Sequence, residues 1–251
     1  MSSVLDAPVQ AERAIRYPES DGQPMADNTL QFQWIVLIKE NLATLFHERE
    51  DVFVAGDLLW YPVEGQPKIC RAPDTMVVLG RPKGYRGSYK QWEEDDLAPQ
   101  VVFEVRSPAN SFKEMLDKLA FYETYGVEEY YTYDPDPERN DLTGFQRQEE
   151  RLHLIDEMNG WTSPRLGIRF DTSGKELRIF APDGTPFRSH EEIEHERKAE
   201  QAARQQAEQE RDAERAARQQ AEQRAIRAEQ EREHLMARLR ELGVDPETMA
   251  E

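Results

Sequence analysis

Two carboxylates and a lysine stand out for where they sit in this chain. Glu104 lies inside Val101-Val102-Phe103-Glu104-Val105, an apolar run of β-formers ahead of Arg106-Ser107-Pro108. An ionised side chain in such a strand costs free energy unless something cationic compensates it. Asp74 follows Pro73 and heads a second apolar run, Thr75-Met76-Val77-Val78-Leu79. Lys118 falls in a helically spaced stretch, Phe112 to Tyr125. Two acids brought by strands and a lysine from the next helix could hold a divalent cation beside a phosphodiester. The cation would neutralise charge on the pentacovalent centre and make a water nucleophilic, while the lysine orients or activates that water. Each residue also has a plainer use. Asp74 could be a turn residue, Glu104 the partner of Arg106 or Lys118 in a buried salt bridge, and Lys118 an exposed helix cation.

The elements that must position this trio are legible from local pattern. Asp27 or Asn28 can cap a helix running to about His47, with Leu30, Trp34, Leu37, Ile38, Leu42, Leu45 and Phe46 on its apolar side. Glu40, towards its end, is an additional candidate acid. Residues 51 to 62 read as one or two strands broken by the Gly56-Asp57 irregularity, and Asp57 is a further candidate. A Gly-rich basic loop follows, where Arg81, Lys83, Arg86 and Lys90 interleave with Tyr85 and Tyr89, a local patch that could meet nucleic acid. The acidic run within Gln91 to Asp96 reads as solvated loop or a helical turn. The Phe112 to Tyr125 helix has Asn110 or Ser111 as cap and stops at Gly126. Glu129 to Asp134 reads as a strand, and short antiparallel strands are expected at 142–147, 152–155, 166–170 and 176–180. The pattern predicts a mixed α/β (α+β) domain over 28–188, preceded by an extended lead-in, 1–27.

Past Ser189 the composition changes to Ala, Glu, Gln and Arg, with neither Gly nor Pro from 190 to 242. The octet Ala202-Ala203-Arg204-Gln205-Gln206-Ala207-Glu208-Gln209 recurs unchanged at 216–223, two heptads on. A long helix or coiled coil is therefore expected over 189–243, ending at Gly243 before a short tail, 244–251. Its apolar cluster is Leu235, Met236, Leu239 and Leu242, which favours a homo-oligomer formed through this helix.

The net charge of −18 argues against a broadly sticky nucleic-acid binder, though not against a nuclease with local cations and a metal. Cys70 is the lone cysteine, so neither an intrachain disulfide nor a multi-Cys zinc site can form. The five histidines lack metal spacing and there is no Gly-x-Ser-x-Gly elbow, which disfavours a His-based hydrolase. With no segment apolar enough to span a bilayer and no signal-like start, a cytoplasmic protein without membrane partners is the expectation.

An ordered set of motifs sharpens this reading. Arg71-Ala72-Pro73-Asp74, Phe103-Glu104-Val105-Arg106-Ser107-Pro108, Asp117-Lys118 with Tyr122, Gly126-Val127-Glu128-Glu129-Tyr130 and Asp134-Pro135 together resemble the Uma-two family of predicted restriction endonucleases. That family is part of the PD-(D/E)xK nuclease superfamily, and the resemblance covers about residues 15 to 185. It implies a restriction-endonuclease-like core, a mixed sheet flanked by helices, acting on DNA with Mg²⁺ or Mn²⁺. It also implies that Asp74 and Glu104 are the motif acids and metal ligands. The superfamily lysine would fall at Arg106, which stays protonated and cannot be a general base. Lys118 is then the displaced lysine, with Arg106 and Tyr122 as further site candidates. The alternative is a non-catalytic nuclease-fold scaffold or binding module working through the helical tail.

Overall fold

The structure is a computed structural model that describes residues 15–241. Residues 1–14 of the lead-in, Leu242, the expected stop at Gly243 and the 244–251 tail lie outside the described residues. The chain divides into two compact units, Met1–Ser189 and His190–Glu251.

The first unit is built on a six-stranded mixed sheet with the order β1-β3-β5-β6-β7-β8. The strands are β1 (Val52–Ala55), β3 (Thr75–Leu79), β5 (Val101–Val105), β6 (Glu129–Asp134), β7 (Asp141–Gln148) and β8 (Arg151–Leu154). Only β5 and β6 pair in parallel; every other neighbour in the sheet is antiparallel. That parallel pair requires a crossover, and α2 (Phe112–Thr124) provides it. Ser111 caps α2 by accepting the Glu114 N–H, and the chain leaves the helix through Gly126 at φ 93°, a left-handed conformation that glycine adopts without steric penalty.

Side chains on a strand alternate between faces. The odd positions of β5, Val101, Phe103 and Val105, pack with α1 (Thr29–Leu45), while the even position Val102 packs with Tyr122 of α2. Each face of the sheet is thus covered by one helix. On α1, Asn28 accepts from the Gln31 N–H at 2.9 Å, and the buried positions are Gln31, Ile35, Ile38 and Leu42. The core stripe is therefore turned slightly from the expected one: Leu30, Trp34 and Leu37 lie at its margin, partly buried.

Several connections depart from expectation. A parallel bridge between β2 (Trp60–Tyr61) and β4 (Tyr89–Lys90) forms a separate two-stranded sheet. The last strands are shorter than expected, β9 (Arg169–Asp171) and β10 (Arg178–Phe180), and among the strands pair with each other rather than with the six-stranded sheet. Leu166 is drawn into the preceding turn, where its N–H donates to Ser163 Oγ at 3.0 Å. The described lead-in has no helix or strand, yet it is anchored. Tyr61 Oη donates to the Pro18 carbonyl at 2.8 Å, and the Tyr17 ring lies against Tyr61 and Trp92.

The second unit is one helix, α3 (His190–Glu241), 52 residues long with no buried residue. At 1.5 Å per residue it is about 80 Å long. Among the described residues no helix is long and apolar enough to cross a membrane.

Candidate active site

Register brings the sequence-separated acids together. In the β3–β5 ladder Thr75 faces Phe103, so extending it by one residue sets Asp74 beside Glu104. Both are even-numbered, and both point to the α2 side of the sheet. The Val105 N–H donates to Asp74 Oδ2 at 2.6 Å, tying the two strand ends together. From α2, Lys118 and Tyr122 stand one turn apart and reach the same carboxylate. Lys118 Nζ donates to Glu104 Oε2 at 2.7 Å, and the Tyr122 hydroxyl donates to Oε1. Glu104 is only 4% exposed and Tyr122 is fully buried, so the carboxylate is locked in one orientation.

The electrostatics of this corner are unbalanced. Burial raises the Asp74 pKa well above the usual carboxylate range, and the charge of Glu104 pushes the same way. Lys118 and the Val105 N–H pull it down without restoring it. For Lys118, burial works against the ammonium, but Glu104 and Asp74 outweigh it and lift the pKa to about 12. A third acid, Asp57, joins from the β1–β2 connection. Its pKa is raised by burial, then by the charges of Asp21 and Glu104. Asp57 adopts φ 48°, and its N–H donates to the Pro73 carbonyl at 3.0 Å, laying the loop against Pro73-Asp74. Gly56 allows this approach, since a Cβ there would meet the Asp74 carbonyl oxygen at 3.2 Å. A small recess beside Glu104 is lined by Arg106, Asn110, Glu114, Met115, Lys118 and Thr132 among others.

The remaining candidates are placed differently. Glu40 is exposed and pairs with Lys39 at 2.8 Å. Arg106 borders the recess, but its guanidinium donates to Asp141 at 2.5 Å and lies 3.7 Å from Asp134, and its buried Nε has no partner. The basic loop is largely neutralised by the acidic run that follows it. Arg81 and Arg86 both bind Glu94, which is half-buried between them rather than fully solvated, and Arg81 also pairs with Asp95. Arg86 in addition lies 4.0 Å over the Phe53 ring. Lys90 pairs with Glu93 and Lys83 lies near Glu50. These four cations therefore do not form the free patch that their spacing suggested.

Sequence reasoning missed Gln31 and Asp21. Gln31 Nε2 donates to the Val105 carbonyl at 2.8 Å, clamping the end of β5 from the opposite face. A signal was available: Gln31 precedes Ile35, Ile38 and Leu42 at core spacing, a polar residue on a buried stripe. Asp21 carried none, because its effect depends on where the lead-in is anchored.

Among solved structures, the chain is similar to one titled as a "putative nuclease belonging to DUF820" from Anabaena variabilis, at 12% identity. The match covers 55% of this chain and 72% of that one, with a TM-score of 0.40. No curated protein matches the chain. A family model described as "Uma2: Putative restriction endonuclease" matches residues 4–173, which span Asp74, Glu104, Lys118 and the whole six-stranded sheet. On that match, the chain belongs to the Uma2 family.

Proposed function

We propose that this protein is a Mg²⁺- or Mn²⁺-dependent endonuclease that hydrolyses DNA phosphodiester bonds at the corner formed by Asp74, Glu104 and Lys118. The observation that carries this reading is the pairing of two inward-facing carboxylates whose like charge is relieved by one lysine alone. The donor set fits the ion. Hard carboxylate oxygens suit Mg²⁺, which commonly keeps several waters and needs only one or two protein carboxylates plus substrate phosphate. Asp74 and Glu104 would hold it. When bound, it supplies neutralising charge at the phosphate and a more acidic water.

The protein's own groups do the rest. Tyr122 and Lys118 fix the Glu104 carboxylate, and the Val105 N–H fixes that of Asp74, so both are preorganised on rigid strands. Lys118 stays an ammonium beside Glu104, so it offers positive charge to the phosphate and orients water rather than abstracting a proton. Asp74 must give up its proton before it can ligate a cation, which makes cation binding stronger as pH rises. Arg106, held by Asp134 and Asp141, contributes less.

Supercoiled plasmid tests this directly. Full-length protein should nick or cut it with Mg²⁺ or Mn²⁺ and not with EDTA. Lys118→Ala should lower cleavage by about 10² or more, the scale of losing a charge-stabilising group, and Arg106→Ala by less. No cleavage with either ion overturns the nuclease reading and leaves the non-catalytic binding module. Loss of cleavage in Arg106→Ala with none in Lys118→Ala overturns the role given to Lys118.

A further inference from the structure

The periodicity of α3 specifies a partner and an orientation. Leu235 and Leu239 are 56% and 37% exposed on a helix with no buried residue, so whatever covers them is not in the helix itself. Counting heptads from Leu239 as position a places His190, Arg197, Arg204, Arg211, Arg218, Ala225 and Arg232 at the other a positions. The d positions are Ile193, Glu200, Ala207, Glu214, Ala221, Ala228 and Leu235. One seam position is therefore mostly arginine, and the other is glutamate or a small or apolar residue.

We propose that α3 pairs with α3 of a second copy of this chain as an antiparallel coiled coil in full overlap, with Ile193 of each copy against Leu239 of the other. In a parallel, in-register pair each a residue meets its own copy. The five arginines, and Glu200 and Glu214 at d, would then be stacked as like charges along the seam. In an antiparallel pair a meets d. With Ile193 on Leu239, Arg232 falls on Glu200 and Arg218 on Glu214. Arg204 then lies on Ala228 and Arg211 on Ala221, where a small residue leaves room for the long stem. Arg197 covers Leu235, Ala225 meets Ala207, and no like charges meet in the seam.

Shifting by one heptad one way puts Leu239 on Glu200, and shifting the other way carries it past the start of the partner's α3. Of these three registers only the full overlap gives Leu239 an apolar partner, and only it gives both Arg–Glu pairs. The flanks are mixed. One side sets Glu196 near Arg238 and Glu210 near Arg224, whereas the other sets Glu208 near Glu222 and Arg215 near its own copy. Those rim contacts face solvent and weigh little beside the seam. Ile226, at position b, stays outside it.

Single-cysteine chains in a Cys70→Ser background test the orientation. Ile193→Cys mixed with Leu239→Cys should form a disulfide between the two variants under mild oxidation, and neither should cross-link with itself. Light scattering on the full-length chain should give twice the monomer mass. Arg218→Glu, which puts glutamate on Glu214 twice per pair, should raise the dissociation constant about tenfold. Adding Glu214→Arg to Arg218→Glu should restore it. A monomer at all concentrations, or self-cross-linking of Ile193→Cys, overturns the proposal.

Discussion

Glu104 and Glu129 are two glutamates on neighbouring strands, 4% and 1% exposed, and burial alone does not distinguish them. Their neighbours do. Glu129 sits on the α1 side of the sheet, where every partner is a donor. Ser163 Oγ and Tyr131 Oη donate to Oε2, and the Arg165 N–H donates to Oε1 at 2.8 Å. Burial raises its pKa, and those donors counter it. The result is a pinned connection between β6 and the 158–168 segment. Glu104, across the sheet, also receives donors, from Lys118 and Tyr122, but shares its corner with two further acids, Asp74 and Asp57, whose pKa values are raised by burial and by its charge. A buried carboxylate whose partners are all donors is a structural tie, while one that also has acids beside it is a candidate cation ligand.

Exchanging the two acids for amides should give the largest effects, of different kinds. Glu104→Gln should lower plasmid cleavage per folded molecule by about 10² to 10³, the range for losing a metal ligand or charge-stabilising group. It should also lower stability, because Lys118 and Tyr122 then face an amide. Glu129→Gln should leave cleavage per folded molecule near wild type but cost about 1–3 kcal/mol of stability, since Ser163 and Tyr131 then face an amide. Equal loss of cleavage in both variants would remove the distinction between them.

A subtler contrast lies in pH. Asp74 has a folded-state pKa above its unfolded value, so its ionisation opposes folding. The stability it allows is complete in acid below about pH 4 and declines as pH rises towards the folded value. Asp74→Asn, which can still accept from the Val105 N–H, should therefore melt higher than wild type at pH 7. The difference should vanish towards pH 4. An Asn variant less stable at neutral pH would show that the corner is balanced after all.

The smallest effect should come from the basic loop. Because Lys83 and Lys90 already have acidic neighbours, alanine at both should change DNA affinity by less than about threefold, measured by fluorescence anisotropy. A large loss with a shallower salt slope would return that loop to the binding surface.

Much of the local structure was legible in the residues themselves. Asn28, Ser111 and Gly126 delimit their helices by short-range capping and φ preference. The Thr75–Leu79 and Val101–Val105 strands follow from runs of β-formers, and the 14-residue repeat of α3 follows from composition. The motif set also directed attention to Asp74, Glu104 and Lys118 before any distance was known.

What only the tertiary structure decided was who faces whom. The β3–β5 register sets Asp74 against Glu104, and the α2 crossover brings Lys118 and Tyr122 over both. It also turned Arg81 and Arg86 inward onto Glu94, anchored the lead-in beside Trp92, and left Arg106 to Asp134 and Asp141. The physical reason is one of range. Caps, turns and strand propensity act over a few residues and leave their mark on the chain. A charge, by contrast, takes whichever partner the sheet register delivers from many residues away, and nothing in its own neighbourhood records that choice.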